Sequence, residues 1–164
     1  MMSALSDLVV TNAEVVNAAA RPMTRDDART LDLTEASLLE PDPAAERARL
    51  RSRQFVRARI VNWTADDSSA VVSVTLYELE RPEQASLAVL DIREALRAAG
   101  ARMGTLAGFV SAVMPSDQGD VAAVSFAVGP VHAVIASSPA GTVDDLAIVE
   151  RVAVLQHARL ATAK

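Results

Sequence analysis

The residues able to do chemistry in this chain are few and scattered. There are two histidines, His132 and His157, and no cysteine. Neither histidine sits in a His-Glu-x-x-His, Cys-x-x-Cys or Gly-x-Ser-x-Gly context, the spacings that set a zinc pair, a thiol pair or a nucleophile elbow. A small hydrolase or isomerase using His132 or His157 therefore has side chains to draw on, but no motif to anchor a Ser-His-Asp arrangement. Metal ligands come in clusters, so an isolated histidine reads as structural. Adjacent carboxylates occur only at Asp26-Asp27, Asp66-Asp67 and Asp144-Asp145. Each pair has a simpler use in a loop or at a helix start than in calcium binding or acid–base work. The glycines follow no phosphate-cradling order. The sequence thus assigns no catalytic residue, no metal site and no cofactor.

Composition narrows the partners. The net charge is −5 and Lys164 is the only lysine. No basic stripe is present to neutralise phosphates, which argues against nucleic acid. The run Arg47, Arg49, Arg51 and Arg53 alternates around a helix and reads as a solvated face, with an anion patch as the sharper alternative. The hydrophobic fraction is 51% over 164 residues, enough for a packed core in one domain. Aromatics are only 3%, so Val, Ala, Leu and Ile must fill that core. Val121–Val143 has the length of a membrane span and no charge, but glycines, prolines and His132 interrupt it, and two short strands explain it better. No signal peptide is expected in these residues.

Two β-β-α units position whatever chemistry there is. Gln54–Trp63 and Val71–Glu80 read as paired strands, joined through a polar loop at Asp66-Asp67-Ser68-Ser69. Pro82–Gly100 then reads as a helix, with Ala85, Ala88, Val89, Ile92 and Leu96 on its buried face. Val121–Val128 and Val131–Ser137 repeat the strand pair, and Thr142–Ala161 repeats the helix, opened by a capping box at Thr142-Val143-Asp144-Asp145. Before them, Leu5–Val16 follows helical spacing and ends near Arg21-Pro22. Residues 24–40 read as an irregular wrap, and Asp42-Pro43 opens a short charged helix. The expected fold is α+β: an antiparallel sheet of four or more strands, with the long helices packed on one face. The domain is single, divided into an N-terminal part (1–50), a first unit (51–100), an apolar connection (101–120) and a second unit (121–164).

The connection is too apolar for an ordinary solvent loop. Met103, Leu106, Phe109, Val113 and Met114 could line a pocket or partner surface, and methionine suits an adaptable groove. Trp63 and Tyr77, in neighbouring strands, each carry a polar handle on a large ring and suit a cavity rim. These seven residues are the candidate ligand- or partner-binding set.

The segments RLRSRQFVRARIVNW, VVSVTLYELERPEQA and GPVHAVIASSPAGTVDDLAIVERVAVLQHARL resemble those of actinobacterial secreted proteins and lipoproteins, over about two-thirds of the chain from Leu50 onward. That resemblance implies a cell-envelope setting and brings no catalytic residues. The expected function is a non-enzymatic extracytoplasmic binding domain for an apolar or amphipathic ligand or an envelope partner protein. The alternative is a homo-oligomeric structural or assembly module, and a cytoplasmic location stays open.

Overall fold

The computed structural model describes residues 4–117, 119–138 and 143–163, the side chains of residues 143 and 144 excepted. Seven strands form one antiparallel sheet: β1 (Met23–Leu31), β2 (Phe55–Ala65), β3 (Val71–Leu79), β4 (Arg102–Met103), β5 (Val110–Met114), β6 (Val121–Val128) and β7 (Val131–Ser138), in the order β1-β2-β3-β7-β6-β5-β4. Five helices accompany it: α1 (Asn12–Ala19), α2 (Leu33–Ser37), α3 (Pro43–Ser52), α4 (Pro82–Ala98) and α5 (Val143–Thr162), with a short 3-10 turn at Leu5–Leu8. The α+β class and the antiparallel sheet agree with the sequence. None of the helices among the described residues is long and apolar enough to cross a membrane.

The two long helices do not share a face, contrary to the expectation. In β3 the even positions Val72, Val74 and Leu76 join a core that includes Val149, Val152 and Ala153 of α5. The odd positions Tyr77 and Leu79 join a second core with Ala85 and Ala88 of α4. Side chains alternate across a strand, so α5 and α4 lie on opposite sides of the sheet. The physical reason is that the central strands are apolar on both faces. A single covering layer would leave one face in water, at about 1.5–3 kcal/mol for each large side chain exposed. The sheet also exceeds the two expected hairpins, with β1 added at one edge and β5 and β4 at the other.

Two stretches expected to be irregular are strands. Residues 23–31 form β1, paired with β2 from Met23 opposite Ala65 to Leu31 opposite Ala58, with a bulge between Arg25 and Asp27. The strand is polar because it is an edge, and only its end residues are buried. Part of the apolar connection forms β4 and β5, which pair at Arg102–Val113 and Met103–Ala112. It is apolar because β5 is the neighbour of β6 under the α5 core.

Helix starts follow local capping. Thr11 and Glu14 form a capping box on α1, so the α-helix starts at Asn12 rather than at Leu5, where the helical spacing begins. Asp32 and Glu35 do the same for α2, and Asp42 caps α3 ahead of Pro43. The expected capping box at Thr142-Val143-Asp144-Asp145 depends on Thr142, which lies outside the described residues.

One buried side chain fastens the N-terminal segment. Gln156 on α5 is fully buried. Its Nε2 donates to the Leu8 carbonyl at 2.6 Å and its Oε1 accepts from the Val10 amide at 3.0 Å. Arg159 adds an ion pair to Glu14 at 2.9 Å, and Arg151 donates to the Ala18 carbonyl at 3.0 Å. Gln156→Leu keeps the volume but strands one buried donor and one buried acceptor. It is expected to lower unfolding free energy by about 2–4 kcal/mol, against less than about 1 kcal/mol for Arg159→Met. Urea denaturation gives both values, and amide exchange at Val10 should accelerate in the Gln156 variant alone.

Candidate ligand cleft

Strand register places a compact set of side chains on the face away from α5. Tyr77 of β3 sits directly opposite His132 of β7, Thr75 opposite Val134, and Ser73 opposite Ala136. On the other flank Thr75 faces Ile60 of β2. These residues floor a cleft of about 590 Å³, walled by Ile92 and Ala95 of α4 and by Leu39, Glu40, Glu46 and Arg49 around α2 and α3. The size falls within the usual range for small-molecule sites, roughly 300–1,000 Å³. The floor alternates apolar and hydroxyl side chains, and the charges stand on the helical wall.

Those charges are mostly spoken for. Arg49 donates to both Glu46 oxygens, from Nε at 2.8 Å and from Nη2 at 2.6 Å. Asp91 on α4 accepts from Arg53 at 2.8 and 2.9 Å. Two members of the arginine run are thus paired in bidentate fashion, which removes them as a free anion patch. Burial opposes the Arg49 charge, but the Glu46 hydrogen bonds and charge more than offset this and raise its pKa. Desolvation, followed by repulsion from Glu46, raises the Glu40 carboxyl above its usual range.

Tyr77 and His132 stack with ring centroids 5.5 Å apart and planes 20° apart. Both are buried. Desolvation first, then the charges of Glu46 and Glu40, push the Tyr77 phenol well above its ordinary value. No hydrogen bond to its hydroxyl is present among the described residues. Buried tyrosine hydroxyls usually have a partner, so this one is free to receive a ligand. His132 is held neutral: desolvation, then the Arg49 charge, lower its pKa to about 3. Its Nε2 lies 2.9 Å from the Ser125 hydroxyl, and Ser125, opposite Val134 on the same face of the sheet, is itself buried.

Of the seven residues singled out from the sequence, only Tyr77 lines this cleft. Trp63 is on the opposite face, buried in the α5 core with Nε1 donating to Asn12 at 2.8 Å. Met103, Leu106, Phe109, Val113 and Met114 lie on or beside β4 and β5. Val113 is a core residue, Met114 is half-buried and Met103 is exposed. Phe109 packs edge-on against Phe126 and His157, at 5.1 and 5.4 Å. Leu106 borders an open groove with Val154 and Leu155 of α5. The structure therefore separates this set into a cleft residue, core residues and an outer groove. Among the cleft members missed by sequence reasoning are the polar ones Glu40, Glu46, Arg49, Ser73, Thr75 and Asp91. Their one visible signal was the Glu46–Arg49 spacing, which fits an ion pair on α3 but does not say which way the pair faces.

The depressed His132 pKa has a pH consequence. Between about pH 3 and pH 6.5 the unfolded chain binds a proton at this residue and the folded chain does not. Stability from this group is therefore complete above pH 6.5 and falls as the pH is lowered through that window, by up to about 1.4 kcal/mol per pH unit. Chemical denaturation of His132→Phe at pH 4.5 and pH 7 should show a shallower pH dependence than the parent chain. NMR of the imidazole should show no titration between pH 5 and pH 8.

No protein-family model matches this chain. No curated protein matches it. Among solved structures it is similar to the extracellular domain of PknH from Mycobacterium tuberculosis, with a TM-score of 0.65 over 96% of this chain and 98% of that one, at 10% sequence identity; the likeness is one of fold.

Proposed function

We propose that this chain is a non-enzymatic, extracytoplasmic binding domain that holds an amphipathic ligand in the cleft between the sheet and α2–α4. The observation that carries the reading is the cleft itself, with apolar side chains along its floor and a Tyr77 hydroxyl that makes no hydrogen bond among the described residues. A ligand with an apolar body and one polar group would cover the first and satisfy the second. The extracellular origin of the structural neighbour and the actinobacterial resemblance both support a place outside the cytoplasm. Histidine chemistry draws little support, because His132 is neutral and buried and its neighbour Ser125 is buried and does not line the cleft. His157 packs against two phenylalanine rings.

Native mass spectrometry after incubation with an organic extract of bacterial cells tests the binding reading. The parent chain should retain an adduct of a few hundred daltons. Ala136→Phe, which fills the cleft from β7, should lose it. A parent chain that carries no adduct would count against binding at this site.

Self-association is favoured by a different observation: Val154 and Leu155 on α5 are 47% and 36% exposed beside the Leu106 groove. Sedimentation velocity across a concentration series decides it. A dimer that Val154→Glu dissociates is the expected result of that reading, and a strict monomer ends it.

A further inference from the structure

The cleft carries more polarity than a purely apolar guest requires, and its charge balance points to one sign. Its lining includes three carboxylates, Glu40, Glu46 and Asp91, and one cation, Arg49. Glu46 and Arg49 neutralise each other through two short hydrogen bonds. Asp91 is neutralised by Arg53 from just outside the lining. Glu40 is the one lining charge with no ion pair among the described residues. An entering anion would meet this carboxylate, and both nearby guanidinium groups are already engaged.

A second, independent feature marks the same place. Tyr77 is 6% exposed and lines the cleft, and its hydroxyl makes no hydrogen bond among the described residues, which leaves it open to a partner that enters the cleft. Glu40 is near enough for its charge to act on that phenol. The two groups together offer a carboxylate acceptor and a hydroxyl oxygen. A protonated amine, with several N–H donors and a positive charge, satisfies both at once. A carboxylate ligand would satisfy Tyr77 only at the cost of facing Glu40. Below that pair, Val134, Ile60 and Ala136 give an apolar bed for the rest of the molecule.

Building on the binding reading, we propose that the ligand is an organic ammonium ion with an apolar body, its charged nitrogen held between Glu40 and the Tyr77 hydroxyl and its body laid along the sheet floor. Glu40 supplies the charge selection and Tyr77 the depth at which the nitrogen comes to rest.

Isothermal titration at pH 7 with octylammonium, octanol and octanoate separates the possibilities. These probes share a tail and differ only in the head. Octylammonium should bind tightest. Glu40→Gln, at an exposed position where folding is not at stake, should weaken octylammonium roughly tenfold, the loss expected for a charge-assisted hydrogen bond, and leave octanol unchanged. Tyr77→Phe should weaken octylammonium and octanol alike. Octanoate binding as tightly as octylammonium, or Glu40→Gln leaving the ammonium affinity intact, overturns the ammonium assignment while the cleft remains a binding site. Failure of all three probes to bind the parent chain overturns both the assignment and the binding reading beneath it.

Discussion

The pairing of β3 with β7 is the constraint on which the rest of this structure depends. It runs from Val71 opposite Ser138 to Glu78 opposite Val131, and it joins two meanders that are otherwise separate, β1-β2-β3 and β4-β5-β6-β7. Each of the two strands is buried on both faces, with Val74, Leu76, Ala133 and Ile135 on one and Tyr77 and Val134 on the other. That double burial demands two helical layers. It also fixes what lies beside what: the rows Tyr77–His132, Thr75–Val134 and Ser73–Ala136 exist only because this register does. A shift by one residue would turn each of these side chains to the other face and dismantle the cleft. The closure joins residues far apart in the chain, so folding must meet a large loop entropy before the two cores reward it.

The two faces have separate work. The α5 face is closed by Gln156 and by packing of α1, the 3-10 turn and Trp63. It is the mechanical side. The α4 face is incompletely covered, because α2 and α3 are short and their charged residues pair with one another over the floor. Small residues make the remaining space: Ala95 on the helix and Ala136 on the sheet take up little volume where larger side chains would fill the cleft.

Much of the architecture was legible in the sequence. Alternation marked β2 and β3, an uncharged run split by Gly129-Pro130 marked β6 and β7, and proline at the first turn of α3 and α4 placed those helices. Edge strands were not legible. Residues 23–31 carry four charges, a pattern that strand propensity disfavours, and only the tertiary neighbour β2 makes them a strand. The apolar connection was expected to pack onto the sheet or line a pocket; of residues 101–114 only Ser111, Ala112 and Val113 are buried and Met103 is exposed, because periodicity does not tell a pocket wall from a sheet edge. The same limit governs the site. Tyr77, expected at a cavity rim because its ring carries a polar handle, lines the cleft. Glu46 and Arg49 were not expected there, because spacing along α3 predicts that they meet but not that they meet above Tyr77. Trp63 does not share a face with Tyr77 for a geometric reason: the register sets Trp63 opposite Val72 and Ala58 opposite Tyr77, so odd positions of β2 share a face with even positions of β3.

The polar edge strand has a further consequence for how these molecules meet. A seven-stranded sheet presents two borders where another chain could continue the ladder. At one border β1 is bulged beside Arg25 and flanked by Asp26, Asp27 and Arg29, which bends it away from flat pairing and makes any added strand face charge. At the other, β4 is only two residues long, and Arg102 reaches Asp120 at 3.6 Å. Strand-to-strand stacking into fibres is disfavoured at both borders. Molecules of this kind can be crowded together with their sheets kept apart, and any lasting encounter between them falls to the helical surfaces.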